Sequence, residues 1–158
     1  MRRNGFNAGG LLTLIMILLF VGCQALNDKE PSSIKEIAAY KEGDGIFIYF
    51  ILADADGAMT TSDGTVSVNI LAAYGDEDER ILYGTQLAVR KKDFKKTEVG
   101  MGNFKREVIL YPVGRIPYSA FKFDAGKAQG WVEITFYGPE NTSILLHNRR
   151  IIFLESRE

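Results

Sequence analysis

From residue 34 onward the apolar positions recur mostly every second residue, the period of a strand with one face buried. The exception is Ile46-Phe47-Ile48-Tyr49-Phe50-Ile51-Leu52, an unbroken run of β-branched, aromatic and aliphatic residues. It lies between Gly43-Asp44-Gly45 and Asp54-Ala55-Asp56-Gly57. Its length and turn-forming flanks predict a strand buried on both faces. Val66, Val68, Ile70 and Ala72 alternate with Ser67 and Asn69, and Ile81, Tyr83, Thr85, Leu87 and Val89 keep the same period. Phe104–Tyr111, with Val108 and Leu110, predicts a further strand. Trp131–Tyr137 sets Val132, Ile134 and Phe136 against Glu133 and Thr135. Ser143–Phe153 alternates too, with a phase slip at Asn148-Arg149-Arg150 that predicts a bulge or bend.

Ile34–Lys41 reads as a first edge strand. A short helix stays open there, because Ser33-x-x-Glu36 has capping-box spacing and Ile34, Ile37 and Ala38 sit at helical intervals. Pro117–Phe121 predicts one helical turn, since proline suits the first helical position. Seven strands separated by turn signals every 8–15 residues predict one all-β domain, an antiparallel β-sandwich with Greek-key connections over residues 34–154. This region resembles the immunoglobulin-like and fibronectin type III-like modules of bacterial surface proteins. The resemblance implies a seven-stranded, immunoglobulin-like β-sandwich.

The first 23 residues have another character. Arg2 and Arg3 precede a glycine-rich lead-in, an apolar run from Leu11 to Val21, then Gly22 and Cys23. A positive start, a short greasy segment and a small residue before the cut describe a secretory signal. A spanning helix needs about 20 apolar residues, and this run is only eleven residues long. Phe20-Val21-Gly22-Cys23 resembles the lipobox of bacterial lipoproteins. That resemblance implies a signal peptide over 1–22 and a lipidated Cys23 at the mature N-terminus. The residues after Arg2-Arg3 fit twin-arginine export poorly, so general secretion is expected. Gln24, where an Asp would favour inner-membrane retention, leaves an outer-membrane destination open in a Gram-negative cell. Residues 23–33 then read as a lipidated cysteine and a polar tether, reaching at most about 35 Å when extended. Two or three acyl chains on one cysteine anchor stably where a single myristoyl would not.

Taking away residues 1–22 removes two of the 19 basic side chains and none of the 20 acidic ones, leaving a net charge of −3. That balance argues against nucleic acid as a partner. With one cysteine there is no internal disulfide, so packing alone must stabilise the domain.

Candidate chemistry is sparse. Asp54, Asp56 and Asp63 put three carboxylates in one loop, where a hard cation such as calcium takes oxygen ligands. Asp-x-Asp-Gly is equally the chemistry of a plain turn, and the spacing is not that of an EF-hand. The acid run Asp76–Glu79 reads as a solvated hairpin tip. Arg90, Lys91, Lys92, Lys95 and Lys96 surround Phe94, a composition that suits an anionic membrane surface or a solvated loop with Phe94 tucked inward. Strand alternation puts this basic segment, the 54–63 loop and the 138–141 turn at the end where the tether enters. Gly100-Met101-Gly102 lacks the residues of a phosphate loop and reads as a connector. His147, the one histidine, has no cysteine or second histidine with which to build a zinc set. Asn141-Thr142-Ser143 is formally a glycosylation sequon. Tyr111, Tyr118 and Phe121 either plug the core or form a contact surface. No nucleophile–base pair stands out, so no catalytic residue, metal or cofactor is expected.

The sequence therefore predicts a non-enzymatic, lipid-anchored envelope protein, facing the periplasm or the exterior. It would be held at the membrane by its lipid and would bind another envelope protein or a polymer. The alternative is a calcium- or small-ligand-binding lipoprotein using the 54–63 loop.

Overall fold

The continuous apolar run becomes an inner strand. A computed structural model describes residues 29–73, 79–100, 102–122, 129–140 and 142–154. Signal segment, Cys23 and most of the tether lie outside the described residues, as do Asp76, Glu77, Asp78, Met101 and Asn141. Among the described residues there are nine strands: β1 (Ser33–Glu42), β2 (Gly45–Ala53), β3 (Met59–Thr60), β4 (Gly64–Ala72), β5 (Arg80–Val89), β6 (Lys95–Val99), β7 (Arg106–Pro117), β8 (Gln129–Tyr137) and β9 (Leu145–Phe153). They form two antiparallel sheets, ordered β1-β2-β7-β6 with β3 beside β2, and β5-β4-β8-β9. The seven expected strands are all present. β3 and β6 are the additions, one only two residues long and the other built from the basic segment.

One core is shared by both sheets. Ile48, Phe50 and Leu52 of β2 meet Val66, Val68 and Ile70 of β4 and Val132, Ile134 and Phe136 of β8. Phe50 sits at its centre, with ring centroids of Tyr111, Phe94 and Phe136 at 5.3, 6.2 and 6.5 Å. On the opposite face of β2, Tyr49 and Ile51 join Val108 and Leu110 in a second apolar cluster. An ion pair from Arg106 to Glu36 lies beside it, and Tyr49 Oη donates to Glu36 Oε1 at 3.5 Å. β2 is thus covered on both sides, as its lack of alternation requires. Burial, then the charge of Glu36, pushes the Tyr49 phenol above its ordinary ionisation range.

Three sequence expectations need correction. β7 runs on to Pro117 instead of stopping at Tyr111, because Pro112 and Gly114 (φ 102°) sit at a register shift opposite Ile48 and Tyr49. A bulge tolerates a residue without an N–H, and glycine supplies the positive φ. In β5 a shift opposite Ile70 and Leu71 buries Leu82 and turns Ile81 outward. β9 pairs with β8 in unbroken register, so Asn148-Arg149-Arg150 marks no bulge. Asn148 takes a half-buried position because its Nδ2 donates to the Ile34 carbonyl at 2.8 Å, tying β9 to β1. Ile34–Lys41, by contrast, is the edge strand expected, and the helix left open there does not form.

Pro117 caps a 3₁₀ turn over Tyr118–Ala120. Tyr111, Tyr118 and Phe121 all lie in the core, and the Tyr118 and Phe121 rings meet edge to face at 5.5 Å. They plug the core; none presents a contact surface.

Candidate functional site

The loops that sequence alternation assigns to one end do gather there. The chain enters through residues 29–32, where the Ser32 N–H donates to the Ala53 carbonyl (2.8 Å) and Thr60 Oγ1 to the Lys29 carbonyl (2.7 Å). Lys29 is therefore already held against the domain, several positions earlier than the expected tether end at Ser33. The 54–60 loop lies beside it, and Asp63, just before β4, bonds the Arg90–Phe94 turn that leaves β5. A cleft of about 400 Å3 on this end is lined by Asp63, Thr65, Arg90, Pro139 and Glu140 among others.

The three aspartates of the cation hypothesis do three separate jobs. Asp54 is buried, 2% exposed, and its Oδ1 accepts from the Asp56 and Ala58 N–H groups, each at 2.9 Å. Its own N–H donates to the Ala58 carbonyl, and its carbonyl accepts from the Gly57 N–H. This is the self-bonded turn that Asp and Gly favour, with Gly57 at φ 79°. Asp56 pairs with Lys29 on the surface; the Lys29 ammonium holds the Asp56 carboxyl below its usual range, and Asp56 holds the Lys29 amine above its own. Asp63 Oδ1 accepts the Lys91 N–H at 2.8 Å. Among the described residues, no group of three or more His, Cys, Asp or Glu side chains is arranged to hold a metal ion.

The basic segment divides by geometry. Arg90 precedes a 3₁₀ turn over Lys91–Asp93, and Asp93 Oδ2 accepts the Arg90 N–H at 3.0 Å. Phe94 points inward, 8% exposed, against Phe50 and Tyr111, so its ring belongs to the core. Lys95 and Lys96 begin β6, where Lys96 pairs with Glu107 of β7 at 2.9 Å. Arg90, Lys91 and Lys92 are exposed on the tether end. The apparent basic-aromatic patch is a core residue flanked by surface charges.

Two features were missed by sequence reading. A second cleft, about 470 Å3, runs between the β1 and β9 edges and is lined by Lys35, Glu36, Asn148, Arg149 and Arg150. The Asn148-Arg149-Arg150 interruption was its signal, read as irregular backbone instead of polar side chains at an edge. The other is a row across the outer face of the second sheet, Ile81, Leu71, Trp131 and Ile151, which pair strand to strand. Arg149 lies over the Trp131 ring at 4.7 Å and pairs with Glu79. His147 is exposed, its Nδ1 3.1 Å from Thr135 Oγ1. Every buried side-chain nitrogen or oxygen among the described residues has a partner.

Comparison with protein-family models, with curated proteins and with solved structures finds no match for this chain.

Proposed function

We propose that this protein is a lipid-anchored, non-enzymatic module of the bacterial cell envelope, an immunoglobulin-like domain moored through Cys23 with its loop end toward the bilayer. The observation that carries this reading is the short path from Cys23 to the domain. Lys29 is already bonded to the fold through its carbonyl, and the six steps from Cys23 span at most about 22 Å. A cysteine acylated at that distance keeps the Lys29, 54–60 and Arg90–Lys92 surface next to the headgroups. The strand order supports the immunoglobulin-like assignment. Taking β1, β2, β4, β5, β6, β7, β8 and β9 as A, B, C, C′, D, E, F and G gives A-B-E-D on C′-C-F-G, the arrangement of that fold.

The test is the N-terminus itself. Intact mass of the mature protein is expected to show a chain beginning at Cys23 and carrying acyl groups, and Cys23→Ser to move the protein out of the membrane pellet. A free sulfur on Cys23, or unchanged sedimentation of Cys23→Ser, overturns the anchor.

The exposed cations supply a second, weaker contact with anionic lipid, at about 1 kcal/mol for each Lys or Arg close to the surface. Changing Lys91, Lys92, Lys95 and Lys96 to Gln is expected to lower binding of the unlipidated Cys23→Ser protein to phosphatidylglycerol vesicles. Salt should weaken the wild-type contact in the same way. Binding unaffected by the four changes removes the basic turn from the interface.

A further inference from the structure

Each sheet ends in two edge strands, and three of the four are protected. β1 carries Lys35, Glu36, Lys41 and Glu42, has a register shift at its start, and packs against β9. β9 carries Arg149 and Arg150 and is tied to β1 through Asn148. β6 is five residues long and holds Lys95, Lys96 and Glu98. Charge, irregularity, brevity and cover are the means by which proteins keep an edge from pairing with another chain.

Among the described residues β5 has none of these over most of its length. From Tyr83 to Val89 it reads Tyr-Gly-Thr-Gln-Leu-Ala-Val, seven uncharged residues without proline, paired to β4 in unbroken register. Its nearest charges, Arg80 and Arg90, flank the run without interrupting it. Outside the β4 ladder, the one backbone bond to β5 among the described residues is from the Lys122 N–H to the Leu82 carbonyl, at 2.8 Å. Tyr83 and Leu87 pack against the core yet are only half-buried, and among the described residues no strand lies beyond them to complete the layer.

We propose that this edge pairs antiparallel with the same edge of a second copy of the chain, joining two four-stranded sheets into one of eight. Lys122 closes the edge at Leu82 and the strand ends at Val89, so the free run is centred on Gln86. A two-fold axis there sets Gln86 opposite itself, Thr85 opposite Leu87, Gly84 opposite Ala88 and Tyr83 opposite Val89. No like charges meet directly, and Tyr83 with Val89 is an aromatic–β-branched pair of the kind that stabilises antiparallel strands. The half-buried Tyr83 and Leu87 gain the neighbours they lack. This inference rests on the domain fold and stands whether or not Cys23 is acylated.

Gln86 is exposed, so substitutions there spare the core. Sedimentation of the full exported chain in mild detergent is expected to show a dimer that Gln86→Lys, placing two ammonium groups face to face, weakens about tenfold. Circular dichroism of that variant should stay that of the wild type. Under mild oxidation in cells, Gln86→Cys is expected to crosslink across the axis beyond the wild-type level, while Thr85→Cys is not, because its sulfurs sit off the axis. A wild type that is monomeric at every concentration overturns the proposal, with or without another protein's peptide bound along Tyr83–Val89. So does a dimer indifferent to Gln86→Lys, or crosslinking no greater for Gln86→Cys than for Thr85→Cys.

Discussion

Replacing Phe50 with alanine is expected to destabilise the domain by about 3–5 kcal/mol, the largest effect of any single truncation considered. The side chain is 0% exposed and lies among the rings of Phe94, Tyr111 and Phe136. Phe94 follows the turn out of β5, Tyr111 belongs to β7 and Phe136 to β8, so the cavity would open between the sheets. A folded domain has only about 5–15 kcal/mol in reserve, so about a fifth or more of the total is at stake. Urea unfolding followed by tryptophan fluorescence should show a lower midpoint with an unchanged slope, the mark of lost stability without an altered unfolded state. Phe104→Ala is the internal contrast. That ring is 90% exposed, and its loss should shift stability by no more than about 0.5 kcal/mol. If both substitutions cost the same, the two-sheet core described here is wrong.

The second large effect is expected at Asp54. Asp54→Ala removes the oxygen that accepts from the Asp56 and Ala58 N–H groups in a buried turn. Orphaning these donors is expected to cost about 2–4 kcal/mol, since bonds to an ionised acceptor run at about 1.5–3 kcal/mol each and part is regained from water. Asp54→Asn keeps an acceptor oxygen in place and should cost about 1 kcal/mol or less. Thermal melts of both variants and the wild type, with and without millimolar calcium, separate a turn from a cation site. Equal melting with and without the ion is expected throughout. Calcium stabilisation of the wild type that Asp54→Ala abolishes would instead restore the cation reading, because a ligand bound to the native state raises its melting point.

Much of the fold was legible because the alternation of β4 and β8 is strict. Val66, Val68 and Ile70 and Val132, Ile134 and Phe136 could face only one way, and all six are fully buried. The errors fell where the backbone departs from that period. Pro112 and Gly114 look like the end of a strand, yet a register shift lets β7 pass through them. Ile81 and Leu82 exchange faces for the same kind of reason, an extra residue that composition does not announce. β6 was hidden because an edge strand needs no apolar face, and lysines that read as a loop are what such an edge carries. The site residues were less legible still. Three aspartates close in sequence need not converge in space. Asp54 turns into its own loop, Asp56 toward Lys29, and Asp63 toward the backbone of Lys91.

The course of β9 has a practical corollary. It starts beside the entry loops, where Leu145 pairs with Tyr137, and finishes opposite Gln129, so β9 ends at the pole remote from Lys29. Nine residues of strand at about 3.4 Å each put roughly 30 Å between those poles. With Cys23 acylated as proposed, an epitope placed beyond the end of β9 would sit on the side away from the lipid, where an antibody added to intact cells could report which face of a membrane it occupies.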